Sequence, residues 1–87
     1  MKTMLSAAEA AICRTIAANL RHFRLARGWT QLQLANQAGV SRATVNRHEM
    51  LRQRPHADSL LLMARCLNVT MDTICSPLPK SKRLGKD

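Results

Sequence analysis

The chain has 87 residues and a formal net charge of +9, with apolar residues at 46% and aromatic ones at only 2%. That size allows one small domain with an aliphatic core. Abundant Ala and Leu against scarce strand-favouring residues exclude a sheet-built fold in favour of an all-α one.

In chain order, Ser6-Ala7-Ala8-Glu9 is a capping box, so a helix starts there. Ala8, Ile12, Ile16, Leu20 and Phe23 form its apolar stripe, and Gly28 stops it, giving a helix over about 7–27. Thr30 with Gln33 is a second capping box, and Leu32, Leu34, Ala35 and Ala38 are the apolar positions of a short helix ended by Gly39. Ser41 caps a third helix after the tight turn Ala38-Gly39-Val40-Ser41, where glycine supplies positive φ. Arg52-Gln53-Arg54-Pro55 is a polar loop. A fourth helix begins at His56 or Ala57 and buries Leu60, Leu61, Ala64 and Leu67, with Asn68 in the left-handed cap position. Thr70 caps a last short helix, Met71 to Cys75, with Ile74 inward, and Ser76-Pro77-Leu78-Pro79 ends it. The remainder, KSKRLGKD, lacks an apolar pattern and is expected as a flexible basic tail.

Residues 1–75 hold ten bases against four acids, and residues 76–87 four against one, so positive charge is not confined to the tail. Nine of the ten bases in the body are Arg, whose planar fork suits guanine edges and phosphates. A polyanionic partner is the inference, against the plainer reading of a solvated basic surface. Cys13, Cys66 and Cys75 have no C-x-x-C spacing and an odd count, and are read as buried free thiols in a reducing cytoplasm rather than as a metal site. Glu9 and Arg14 break the apolar start, so neither a signal peptide nor a membrane span is expected. No cofactor is expected. No Cys-His, Ser-His or metal-spaced cluster points to an enzyme, and His22, His48 and His56 are not at mutual ligand spacing.

The functional signal lies in the helix opening at Ser41. Val45, His48 and Glu49 fall on its inner side; Ala43, Asn46, Arg47 and Met50 fall outside, with Arg42 at the exposed N-terminal end. Arg pairs with guanine and Asn with adenine, while Ala leaves room for a thymine methyl. Such a helix is roughly 13 Å long, about the width of the major groove. Without the preceding turn, Arg42 and Arg47 would read as solvating charges; with it, a DNA-reading face is the better account.

The strings RGWTQLQLANQAGVS, Glu49, Pro55, Leu60 and CLNV at 66–69 resemble the lambda-repressor-like (Cro/CI-type, XRE) helix-turn-helix family over residues 16 to 75. The resemblance implies a compact five-helix domain with its helix-turn-helix at about 31–50. It implies base contacts from Arg42, Ala43, Asn46 and Arg47. It also implies backbone contacts from Gln31, with Ser41 and Thr44 near the backbone or base edges, or acting only as cap and surface. Arg52 and Arg54 are weaker backbone candidates. Arg24 and Glu49 match a structural salt bridge between the first and third helices, and Trp29 an apolar position at the helix junction. His48 departs from the pattern, read as a half-buried structural residue rather than a pH sensor. Leu51 also departs, standing where many members carry glycine; a bulky residue at positive φ is strained, so a different helix exit is expected there.

Members are dimeric regulators of palindromic operators, so the expected function is a sequence-specific, double-stranded-DNA-binding transcriptional regulator. It would be a homodimeric repressor, cytoplasmic and nucleoid-associated when bound. The alternative is an antitoxin-like or other protein-interaction module that takes a toxin or another regulator as partner and also binds its own promoter. The expected organisation is an N-terminal extension at 1–15, the domain at 16–75 and the tail at 76–87. Ile12 and the stretch Met71 to Leu78 are the candidate dimer surfaces.

Overall fold

The computed structural model describes residues 6–50 and 56–78. Leu51, Arg52, Arg54, Pro55 and the tail from Pro79 onward lie outside the described residues. The described residues form five helices and no strand: α1 (Ala7–Ala26), α2 (Gln31–Ala38), α3 (Arg42–Glu49), α4 (Ala57–Leu67) and α5 (Met71–Cys75).

Local chemistry sets most of these boundaries. At α1, Glu9 N donates to Ser6 Oγ at 3.1 Å and Ser6 N donates to Glu9 Oε1 at 2.9 Å. At α2, Gln33 N donates to Thr30 Oγ1 at 3.1 Å and Thr30 N to Gln33 Oε1 at 2.8 Å. Each box satisfies two amides that have no partner within the helix. Ser41 and Thr70 cap α3 and α5 through Thr44 N and Thr73 N. The N-cap of α4, His56, makes no side-chain cap bond; Asp58 supplies the favourable charge in that first turn. Gly39 (φ 76°) and Asn68 (φ 60°) take the left-handed conformation that ends α2 and α4.

The core lies where α2 packs on α3 and α4 while α1 crosses α3 and α5. Leu20, Leu34, Val45, Met63 and Ile74 have no measurable exposure, with Ile16, Ala35, Leu60, Ala64 and Leu67 around them. Asn19, also buried, joins α1 to α5: its Nδ2 lies 2.8 Å from both Ile74 O and Ser76 O, and 3.3 Å from Thr73 O. These carbonyls lie at and just beyond the C-terminal end of α5, and Thr73 O also accepts from Ser76 N at 3.3 Å.

Three sequence expectations are corrected. Leu61 is exposed and Met63 takes its place inside, because 60, 63, 64 and 67 share one helical face while 61 lies off it. Leu32 is 52% exposed, since two residues from Leu34 is more than half a turn around α2. Ile12, read from the sequence as exposed apolar surface, is 51% exposed although it is in register with Ile16 and Leu20, because burial on α1 begins only at Ile16. The three thiols are free but not buried: Cys13 and Cys66 are half-buried and Cys75 is exposed. Ile74 fills the core from α5, which turns the adjacent Cys75 outward; partial burial, then the Asp72 charge, push its thiol pKa up.

Candidate nucleic-acid interface

The site begins at the turn between α2 and α3. Gly39 N and Val40 N both donate to Ala35 O, at 2.9 and 3.0 Å, which folds the chain back sharply. A Cβ on Gly39 would meet nothing within 4 Å, so glycine is required there for its positive φ and not for space. Leu34, Ala35 and Ala38 of α2 and Val45 of α3 then close against each other and fix which face of α3 points out.

On that outer face Arg42, Ala43 and Arg47 are exposed, followed by Met50 at 46% exposure. Neither arginine has a carboxylate partner among the described residues. Ser41 Oγ and Thr44 Oγ1 are 2.8 Å apart, and Arg47 Nη2 donates to Thr44 Oγ1 at 3.4 Å. Asn46 and Thr44 are half-buried. Asn46 leans toward α2, where its Nδ2 donates to Gln31 Oε1 at 3.3 Å.

The inner face is anchored by charge as well as by Val45. Arg24 Nε donates to Glu49 Oε2 at 2.7 Å and Nη2 to Glu49 Oε1 at 3.0 Å, while Nη1 donates to Trp29 O at 2.7 Å. Both residues are buried, at 8% and 6% exposure, so a two-pronged ion pair clamps α3 to α1. Glu49 Oε1 also accepts from Gln31 Nε2 at 3.1 Å. Arg27 covers the Trp29 ring, 5.3 Å from its centroid, and donates to Leu67 O at 3.2 Å. His48 is buried with Nδ1 2.7 Å from Thr44 O; a carbonyl only accepts, so Nδ1 carries the proton. Its Nε2 has no partner among the described residues.

Of the residues singled out in the sequence, the structure brings Gln31, Ser41, Arg42, Ala43, Thr44, Asn46 and Arg47 onto α2 and α3 around one turn, with Arg24 and Glu49 beneath them. Arg52 and Arg54 lie outside the described residues. The bond from Asn46 to Gln31 was missed, since nothing in the order of residues shows how α2 lies against α3. So was the Asn19 clasp, whose only signal was an asparagine on the buried stripe of α1.

A helix-turn-helix family profile matches residues 20–74, well over half of the chain. The chain belongs to the XRE-type helix-turn-helix family. Among solved structures, the XRE-type domain is similar to a hypothetical transcription factor, NHTF, from Neisseria. The identity is 30% and the TM-score 0.74, over 88% of this chain and 87% of that one. It is also similar to the restriction-modification controller protein C.AhdI from Aeromonas hydrophila, at 25% identity and a TM-score of 0.68, over 74% of this chain and 97% of that one. No curated protein matches it. Membership places this XRE-type domain among non-enzymatic DNA-binding regulators. Among the described residues no helix is long and apolar enough to cross a membrane.

Proposed function

We propose that this chain is a sequence-specific repressor that binds a palindromic operator as a homodimer, with α3 in the major groove. The carrying observation is the pair of exposed arginines, Arg42 and Arg47, neither with a carboxylate partner among the described residues, on a helix held from behind by the buried Arg24–Glu49 pair. A base-reading helix needs free donors and a fixed orientation, and this arrangement supplies both. Arg42, Ala43, Asn46 and Arg47 are assigned to base edges. Gln31 at the first position of α2, where helix amides are free, together with Ser41, Thr44, Arg52 and Arg54, is assigned to the phosphate backbone. Residues 16–75 are assigned to the DNA-binding domain, and the basic residues within 76–87 are assigned to added phosphate attraction. The site of action is the cytoplasm, on the nucleoid.

A second reading, an antitoxin-like module that also binds its own promoter, is supported by exposed Ile12 and Leu25, each about half exposed on α1. Those side chains, with the stretch from Met71 to Leu78, are also where a second copy would dock.

Titration of Arg47→Ala against the preferred duplex and its single-base variants tests the assignment. About 1–3 kcal/mol of discrimination should vanish at one base position while the fold persists. Unchanged affinity and unchanged base preference would remove Arg47 from the reading face.

A further inference from the structure

Ala43, Arg47 and Met50 fall in one line along the outer face of α3, at spacings of four and three residues. Met50 is the C-cap, yet it holds the helical phase, because its N–H still donates to Asn46 O at 2.9 Å. Among the described residues it is the one large apolar side chain exposed on this face, and it neither forms nor borders the core. Long helical side chains lean toward the helix N-terminus, over the turn before their own Cα. That preference brings the Met50 thioether back alongside Asn46 and Arg47 instead of past the end of α3. Arg47 leans the same way, its Nη2 donating to Thr44 Oγ1 at 3.4 Å, which leaves the C-terminal part of the face to Met50. The reading face thus carries an apolar group beside its polar ones, and that group has no packing role to account for it.

We infer that Met50 is a specificity-determining residue that packs on the C5 position of a pyrimidine and selects a 5-methyl group there, so that thymine is preferred over uracil and 5-methylcytosine over cytosine. The inference rests on the reading that α3 enters the major groove. The thymine methyl is the apolar feature that base pairs present in that groove. Met has no strong donor or acceptor, so it cannot read the polar base edges. Its flexible, polarizable thioether does fit against a methyl without needing one fixed orientation. Every base pair contains one pyrimidine, so a C5 position exists at whichever pair Met50 reaches. Exchanging methyl for hydrogen there alters no base-edge hydrogen bond.

The test uses the full chain and duplexes built on its preferred site. At each base pair in turn, thymine is replaced by uracil or cytosine by 5-methylcytosine, and affinity is measured for wild type, Met50→Gln and Met50→Leu. Wild type is expected to favour methyl over hydrogen at the pair that Met50 reaches by about fourfold, the effect of burying one carbon. Met50→Gln has nearly the same length and shape but a polar end, and should bring that preference below about twofold while leaving every other pair unchanged. Met50→Leu stays apolar and should retain it. A methyl preference that no substitution at residue 50 alters, or none at any pair, overturns the proposal. So does a Met50→Gln that weakens binding to methylated and unmethylated duplexes alike. Each of these leaves the DNA-reading assignment intact, since Arg47→Ala tests that separately. A wild type without base preference at any position overturns both. If Met50→Gln does not fold, NMR of the wild-type complex decides. A nuclear Overhauser contact between the Met50 Cε protons and one pyrimidine 5-methyl supports the assignment, and its absence at every such methyl refutes it.

Discussion

Replacing Glu49 by alanine would strand the Arg24 guanidinium in the interior. In the native structure Nε and Nη2 both end on the Glu49 carboxylate, and only Nη1 has another acceptor, Trp29 O. With Arg24 at 8% exposure, water cannot replace the lost carboxylate without opening the α1–α3 junction. Breaking one side of a buried pair costs on the order of 3–5 kcal/mol. A domain of this length has a total stability of roughly 4–13 kcal/mol. At about 4–8 °C per kcal/mol, the melting temperature should fall by roughly 12–40 °C. Urea unfolding followed by circular dichroism measures this, with an unchanged slope showing that the loss is in stability and not in the denatured state. The double variant Arg24→Met/Glu49→Leu removes both charges, and should recover most of the loss because neither desolvation penalty remains. A Glu49→Ala loss below about 1 kcal/mol is the behaviour of a surface pair, and would refute the clamp.

Asn19→Ala should cost about 1–3 kcal/mol, because carbonyls of Thr73, Ile74 and Ser76 lose a shared donor. Amide exchange should accelerate selectively in α5; uniform acceleration across all helices would argue against a local clasp. Gly39→Ala should destabilise by roughly 1–2 kcal/mol through its left-handed φ alone, since the added Cβ meets no atom. A larger loss, seen by thermal melting, would mean that the turn is tighter than described. Ser41→Ala should cost about 0.5–2 kcal/mol by uncapping α3 and should free Thr44 Oγ1, measured by the same melts.

What could be read from the residues in order depended on the range of the interaction. Both capping boxes, the Gly39 turn and the Asn68 cap were legible because each is decided within about four residues. Val45, His48 and Glu49 were legible as the inner face of α3 because the turn before it fixes the phase of a short helix. On α4 the same reasoning placed Leu61 inside instead of Met63: four consecutive apolar residues, Leu60 to Met63, leave the phase ambiguous, and the packing of α2 against α4 decides it. Ile12 fitted the stripe of α1, but a stripe says nothing of where the neighbouring helices stop. The amide chain from Glu49 through Gln31 to Asn46 depends on three side chains from two helices meeting, and the Asn19 clasp spans 55 residues. Spacing along the chain carries neither.

The most direct measurement is selection of bound sites from a random double-stranded DNA pool, using the full chain. A two-fold symmetric motif is expected, with half-sites about one helical turn, ~34 Å, apart. Recovery of sequences with no common motif, at an affinity that depends on salt alone, would contradict sequence-specific recognition by α3.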